Sequence, residues 1–321
     1  MDKSSRIAII GAGPVGGILA AHLIRAGHEV TVVDVYKGHV DKMLVDGLAI
    51  EGVHELTATI SRAYLSIEEA VAAGANCDCV VVCTKTQVNR AIVGALPGLI
   101  AEHGVGISFQ NGLDPEQSLL EVLGPDRTLR GVVNYAGNLL EPGRIRMHFF
   151  TGANHLGAAV PGNERAGTAA REISEILTAA DLRTDYSERV TEHVWAKVIR
   201  NAALMPISAL TGMNMRQVME SQAGVALVRS LLAEAINVAA KAGFELGERF
   251  FEDSLDYYRK AGPHMPSMWA DVEAKRQTEI EFLNHAIALA GDRVGVPAPF
   301  NRALADLVRC VDELAAIEKK Q

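Results

Sequence analysis

In the first half of the chain, apolar positions fall into short β-branched clusters separated by longer stretches with helical spacing. Arg6–Ile10, Glu29–Val35, Cys79–Cys83, Gly106–Phe109, Thr128–Val133, Gly143–Phe149 and His155–Ala159 read as strands. Runs of Val, Ile and Thr suit a pleated, buried surface. Pro14–Ala26, Ile67–Ala73, Gln87–Ile100, Pro115–Leu123 and Ala166–Ala179 read as helices, the first closed by Gly27, a residue type favoured just past a helix end. Strand and helix in alternation predict an α/β fold, a parallel sheet with helices on both faces.

After about Tyr186 the pattern becomes almost wholly helical. Thr191–Leu210, Val218–Ala242, Glu245–Ala261, Met268–Gly291 and Phe300–Lys319 are the predicted helices. Breaks are expected at Pro206, Gly212, Gly243, Gly262-Pro263, Pro266 and 296–299, where proline or glycine interrupts the backbone ladder. The expected organisation is an α/β domain over residues 1–186 and an all-α domain over 187–321. No internal repeat or low-complexity tract stands out.

A length of 321 residues with 49% hydrophobic residues leaves room for two sizeable cores. The net charge of −8 argues against nucleic acid or an anionic membrane as partner. No run reaches the ~18 apolar residues of a membrane span, and Met1–Arg6 leads into a strand without a signal-peptide pattern, so the cytoplasm is the expected location. Four cysteines, Cys77, Cys79, Cys83 and Cys310, suit a reducing compartment. Cys77-Asp78-Cys79 lacks a second Cys or His pair at zinc-site spacing, and no metal is expected.

The sharpest motif is Gly11-Ala12-Gly13-Pro14-Val15-Gly16, between the first strand and the first helix. In a Rossmann-type dinucleotide turn the first glycine permits the tight bend. The second lets a pyrophosphate approach the backbone, and the third lets helix pack on strand. The helix N-terminus offers free N–H groups and partial positive charge to phosphates. Asp34, at the end of the second strand, lies 23 residues beyond Gly11, close to the ~20 expected for a carboxylate on the adenosine ribose. That carboxylate repels a 2′-phosphate and favours NAD over NADP, with Lys37 nearby as a counterweight.

Lys197 and Asn201 stand four apart on one face of an amphipathic helix. Taken alone they read as solvated residues. Glu279 alone reads as half of a Lys275–Glu279 pair on a wet helix face, and Ser267 as the N-cap of a helix beginning near Met268.

Six motifs in order give the chain a wider resemblance. They are Gly11–Gly16; Lys85 just past Val80–Cys83; Ser108-Phe-Gln-Asn111-Gly112; Trp195-Ala-Lys197 followed by Asn201; Pro266-Ser267-Met268 leading to Thr278-Glu279-Ile280; and Gly295-Val-Pro-Ala-Pro299. Over nearly its full length the chain resembles the ketopantoate reductase (2-dehydropantoate 2-reductase) family. The resemblance implies a Rossmann-type domain followed by an all-α domain. It implies hydride transfer between NAD(P)H and a 2-oxo acid, giving a (2R)-2-hydroxy acid, in the cleft between the domains. Lys197 is then the general acid, and Glu279 a carboxylate near the ribose and the lysine. Asn111 meets cofactor and substrate, Asn201 and Ser267 contact substrate, and Lys85 and the Ala136-Gly137 backbone contact cofactor. A homodimer is a further expectation.

Departures from the family pattern bear on substrate. Met205 and His264 stand where well-known members carry asparagines, Asp34 where NADPH-specific members carry a basic residue, and the loop at Lys85-Thr-Gln87 is one residue shorter. With Met213, Met265, Met268 and Trp269, Met205 would make an apolar pocket. That suits an NAD-dependent catabolic dehydrogenase of a bulkier, mandelate-type 2-hydroxy acid. A non-catalytic dinucleotide sensor is the alternative from another class; it needs the glycine turn but not Lys197, Asn201 and Glu279.

Overall fold

The computed structural model describes residues 4–319. The chain divides into two units. One holds residues up to Gln110 together with Pro115–Val190; the other holds Asn111–Asp114 with the chain from Thr191 onward.

The first unit carries strands β1 Arg6–Ile10, β2 Glu29–Val33, β3 Leu48–Gly52, β4 Leu56–Ala58, β5 Ala63–Tyr64, β6 Cys77–Val82, β7 Ile100–Ser108, β8 Thr128–Val132, β9 Tyr135–Glu141, β10 Arg144–Phe150, β11 Asn154–Ala158 and β12 Thr184–Tyr186. An eight-stranded sheet runs β12-β11-β8-β7-β6-β1-β2-β5. Its pairings are parallel except β8 with β11. This is the doubly wound, Rossmann-type arrangement. The winding reverses between β1 and β6, so the carboxyl ends of those two strands flank a topological switch point, where open α/β sheets bind ligands.

A second sheet, β4-β3-β10-β9, was not anticipated. Gly143–Phe149 was expected in the parallel sheet but forms β10, paired with β3 and β9. β3 and β9 (Tyr-Ala-Gly-Asn-Leu-Leu-Glu) carry Ala, Gly and Asn at positions where strands usually carry branched residues, so pairing rather than propensity makes them strands. The helix Pro14–Arg25 is buried from Gly16 through Leu23. The small sheet covers the helix face that the large sheet leaves open, with Ile145 of β10 packed against Gly17.

The predicted helix Gln87–Ile100 is instead a string of short turns: Thr86–Val88, Asn89–Ile92, Val93–Ala95 and Leu96–Leu99. Gly94 and Pro97-Gly98 interrupt it, and Ile100 already belongs to β7.

The helical unit contains Val190–Thr211, Met215–Glu220, Gln222–Lys241, Phe250–Lys260, Ser267–Glu273, Asn284–Val294 and Pro299–Glu318. The expected break at Pro206 does not occur; the proline sits inside the first of these helices. Proline lacks the N–H that would bond the carbonyl four residues back. That carbonyl, Ala202 O, accepts instead from Asn284 Nδ2 at 2.9 Å. Asn284 is fully buried and also donates to Asn301 Oδ1 at 3.0 Å. The predicted Val218–Ala242 helix is broken at Ser221, whose hydroxyl caps the next helix by accepting from Gly224 N. The predicted Met268–Gly291 helix is likewise divided: it ends at Glu273, and Lys275 adopts a left-handed φ of 51°. Gln222–Lys241 is long and apolar enough to cross a membrane by length and composition, with a mean hydropathy of 1.5. Its stripe Val228, Leu231, Leu232, Ala235 and Val238 is buried, and it contacts the helices 284–294 and 299–318.

Candidate active site

Each glycine of the Gly11–Gly16 turn meets a different constraint. Gly11 has φ 92°, and a Cβ there would stand 2.9 Å from Thr84, just past β6. A Cβ on Gly16 would overlap the Gly11 carbonyl oxygen. Gly13 is different: its φ is −62°, and a Cβ there would meet nothing within 4 Å. The fold itself therefore demands glycine at 11 and 16, whereas position 13 is open to a close-approaching ligand. The helix that follows has Gly13 as N-cap with no side-chain cap, and Pro14 in its first turn. Its leading N–H groups are left for an external acceptor. This cradle fits a dinucleotide pyrophosphate.

Asp34 braces the turn. Its Oδ2 accepts from Ala12 N at 2.7 Å and its Oδ1 from Tyr36 N at 2.8 Å. Each carboxylate oxygen keeps a second lone pair for another donor. Two braces escaped sequence reasoning. Buried His39 donates from Nε2 to Ala12 O at 3.0 Å and accepts at Nδ1 from Gly143 N at 2.9 Å. Tyr135 Oη donates to Val15 O at 3.0 Å. Their partners lie 27 to 120 residues away, so no local spacing could announce them. Lys37 pairs with Asp41 at 2.6 Å. Lys85, half-buried, follows β6. Gly137 lies in β9 opposite Met147, where a Cβ would press on the Arg146 carbonyl.

Beneath the carboxyl ends of β6 and β7 lies a buried polar network that the sequence analysis also missed. Gln110 Nε2 donates to Thr84 O at 3.0 Å and to Asn89 Oδ1 at 2.6 Å. Asn89 Nδ2 donates back to Gln110 Oε1 at 3.0 Å. Buried Arg130 donates to Ser108 O at 2.9 Å and pairs with Glu116 at 3.1 Å. Paired groups of this kind fix the strand ends in one geometry.

In the helical unit, Lys197 and Asn201 are half-buried on the Val190–Thr211 helix, beside buried Trp195, Val198, Ile199 and Ala202. Met205, one turn on, is 8% exposed. Residues 111–114 belong to the same unit. Leu113 N donates to Phe282 O at 2.9 Å. Gly112, at φ 102°, lies so close to Phe282 that a Cβ would overlap it. This contact brings Asn111 Nδ2 to 3.5 Å from Glu279 Oε2.

Glu279 is 4% exposed and lies on a non-helical turn before the short 3₁₀ segment Ile280–Phe282. The expected Lys275–Glu279 pair is not formed: Lys275 pairs with Glu318 at 2.6 Å. Asp312 anchors the turn, accepting from Thr278 N at 3.2 Å and Thr278 Oγ1 at 2.8 Å. Burial holds the Asp312 carboxyl above its ordinary value, and neighbouring Asp271 and Glu281 add to the shift.

Ser267 is exposed and is the first helical residue; the N-cap is Pro266, with no side-chain cap bond. The capping role expected for Ser267 is therefore wrong, because the helix begins one residue earlier than read. Met268 is buried, while Met213, Met265 and Trp269 are half-buried. The His264 carbonyl accepts from Met215 N at 3.0 Å.

Among the described residues no group of three metal-ligating side chains is present. A register shift between Cys77 and Cys79 sends their side chains into different cores, on opposite faces of the sheet. Burial pushes the Cys77 thiol up to about 11 and Cys83 to about 12.

The family model for ketopantoate reductase PanE/ApbA matches residues 7–161, and that for the ketopantoate reductase PanE/ApbA C terminal matches residues 189–312. A 2-dehydropantoate 2-reductase of Streptococcus pyogenes serotype M3 is 26% identical over 312 residues, covering 97% of this chain and 99% of the relative. The crystal structure of 2-dehydropantoate 2-reductase from Geobacter metallireducens GS-15 is 26% identical, with a TM-score of 0.86 and coverage of 95% and 99%. D-mandelate dehydrogenase, solved with NADH and anilino(oxo)acetate, also has a TM-score of 0.86, with coverage of 97% and 99%. At 22% identity that is a likeness of fold.

Proposed function

The chain belongs to the ketopantoate reductase family of NAD(P)-dependent oxidoreductases, and on that premise we propose that it interconverts a 2-oxo acid and a (2R)-2-hydroxy acid, with Lys197 as general acid. Gly11, Ala12, Gly13, Pro14, Val15 and Gly16 hold the pyrophosphate, Asp34 the adenosine ribose, and Lys85 and Gly137 further parts of the dinucleotide. When bound, the reduced nicotinamide supplies a hydride to the carbonyl carbon. As the C=O π pair withdraws onto oxygen, the Lys197 ammonium gives that oxygen a proton and is left as the neutral amine. Asn111, Asn201 and Ser267 hold the polar end of the substrate. Glu279 orients Asn111.

The observation that carries this reading is the Glu279 environment. A surface ion pair on a wet helix calls for neither a buried carboxylate nor an asparagine amide delivered to it by a separate segment. Asp34 supports NAD, since its fixed carboxylate repels a 2′-phosphate and the nearby cation Lys37 is engaged by Asp41. Met205 supports an apolar substrate side chain, because a thioether cannot replace an asparagine's donors.

The test is nicotinamide absorbance with NADH and NADPH against ketopantoate and aryl 2-oxo acids. Lys197→Ala is expected to lower kcat by ~10²–10⁴-fold, the usual contribution of a positioned acid, while dinucleotide affinity is retained. Near-normal turnover in that variant removes Lys197 from the mechanism. Dinucleotide binding without turnover of any 2-oxo acid favours the sensor, and a clear win for NADPH with ketopantoate overturns the readings of Asp34 and Met205.

A further inference from the structure

We propose that Tyr258 and Asn284 are positioning residues, which aim the Asn201 side chain at the substrate by fixing the helix backbone on either side of it. The inference rests on the reading of Asn201 as a substrate contact. Tyr258, 1% exposed on the Phe250–Lys260 helix, donates from Oη to Arg200 O at 2.7 Å. Asn284 Nδ2 donates to Ala202 O at 2.9 Å. The two carbonyls flank Asn201. Only the second bond answers a need of the helix, since Pro206 leaves Ala202 O without its usual donor. Arg200 O has the Leu204 N–H four residues on, so the tyrosine bond is an addition to the ladder. Burial pushes the Tyr258 phenol well above its ordinary value, and the hydroxyl keeps the proton it donates. The Arg200 side chain is held by the same helix: its Nε donates to Ser254 Oγ at 3.2 Å, and its guanidinium lies 4.8 Å from the centre of the Phe250 ring. Asn284 is equally fixed. Its amide also donates to Asn301 Oδ1, and the Asn301 amide donates in turn to Glu234 at 2.9 Å.

Residues two apart on a helix stand about 200° apart around its axis. The two bonds therefore enter from nearly opposite sides, and half-buried Asn201 projects between them, about 100° from each. Pro206 opens the ladder one turn beyond, where helices bend most readily. A side-chain tip stands ~5–6 Å from the axis, so a rotation of about 10° moves it by ~1 Å. That displacement takes a hydrogen bond from its usual ~2.9 Å to beyond reach. Lys197, one turn earlier on the same face, carries its ammonium on a long flexible stem and can follow a small rotation. An asparagine amide, on a much shorter side chain, cannot. Loss of either grip should therefore register in substrate affinity before it registers in turnover.

Tyr258→Phe removes the hydroxyl and keeps the ring. The assay uses NADH with ketopantoate or an aryl 2-oxo acid, whichever the wild type reduces faster. The variant should raise the KM for the oxo acid by about 3–10-fold, the worth of one weakened hydrogen bond. Its kcat and its KM for NADH should stay close to the wild-type values. In an Asn201→Ala background the same change should have no further effect on the oxo-acid KM, because residues that act through one group do not add. Asn284→Ala should show the same dependence on Asn201. An oxo-acid KM unmoved by Tyr258→Phe, a KM for NADH that rises in parallel, or an effect that persists without Asn201 overturns the proposal. An Asn201→Ala variant with the wild-type KM instead removes Asn201 as a substrate contact, and the positioning role falls with it. Hydrogen exchange needs no substrate. Backbone amides of 201–205 should exchange faster in Tyr258→Phe, and unchanged protection there overturns the grip even in a chain that reduces no oxo acid.

Discussion

Gly13 and Gly16 are three residues apart, yet replacing each should break a different property. Gly16→Ala drives a methyl into the Gly11 carbonyl and should cost about 1–3 kcal/mol of stability, the range for overpacking, read by denaturant titration. Gly13→Ala adds a methyl that touches nothing in the protein, at a backbone conformation any residue adopts. Its denaturation midpoint should stay put while NADH affinity falls at least about tenfold, a loss of about 1.4 kcal/mol. If Gly13→Ala binds NADH normally, the turn is not a phosphate cradle. The glycine spacing itself was legible because a βα turn is local. The His39 and Tyr135 braces were not, since the groups they hold lie 27 and 120 residues away in the chain.

Among elements, the Val190–Thr211 helix shows how a correct local rule can mispredict. Proline does remove a hydrogen bond at position 206, but the orphaned Ala202 carbonyl has a replacement donor 82 residues away in Asn284. Asn284→Ala should cost about 1–3 kcal/mol by leaving that carbonyl buried and unbonded. In a Pro206→Ala background, where a backbone N–H returns, the same change should cost less, and a double-mutant cycle in denaturant measures the difference. Equal costs in both backgrounds would separate Asn284 from the proline.

The turn at Glu279 depends on another distant partner, Asp312. Burial raises that carboxyl in the folded chain, so the folded state holds its proton to higher pH than the unfolded state does. Stability from this group therefore falls as pH rises through the window just above its ordinary 3.8. Asp312→Asn should flatten that part of the stability–pH curve. Asp312→Ala, which frees Thr278, should in addition lower turnover. Unchanged turnover in Asp312→Ala would show that the turn does not need this anchor.

For the whole molecule, hydrophobic periodicity made the α/β and helical halves legible, because each element's burial pattern is written in its own residues. It could not show that Asn111–Asp114, directly following Gln110, group with the helices; that follows from Gly112 and Leu113 packing on Phe282, some 170 positions later. Nor could it show the small sheet, whose strands are made by pairing. The large sheet ends in strands of two and three residues, β5 and β12, while the small one ends on one side in the seven-residue β9. A margin two or three residues long gives an incoming chain almost no ladder to copy. Fibrillar growth under mild heating should therefore start, if anywhere, along Tyr135–Glu141. A proline at Asn138 should slow that growth more than a proline placed beside β5 or β12.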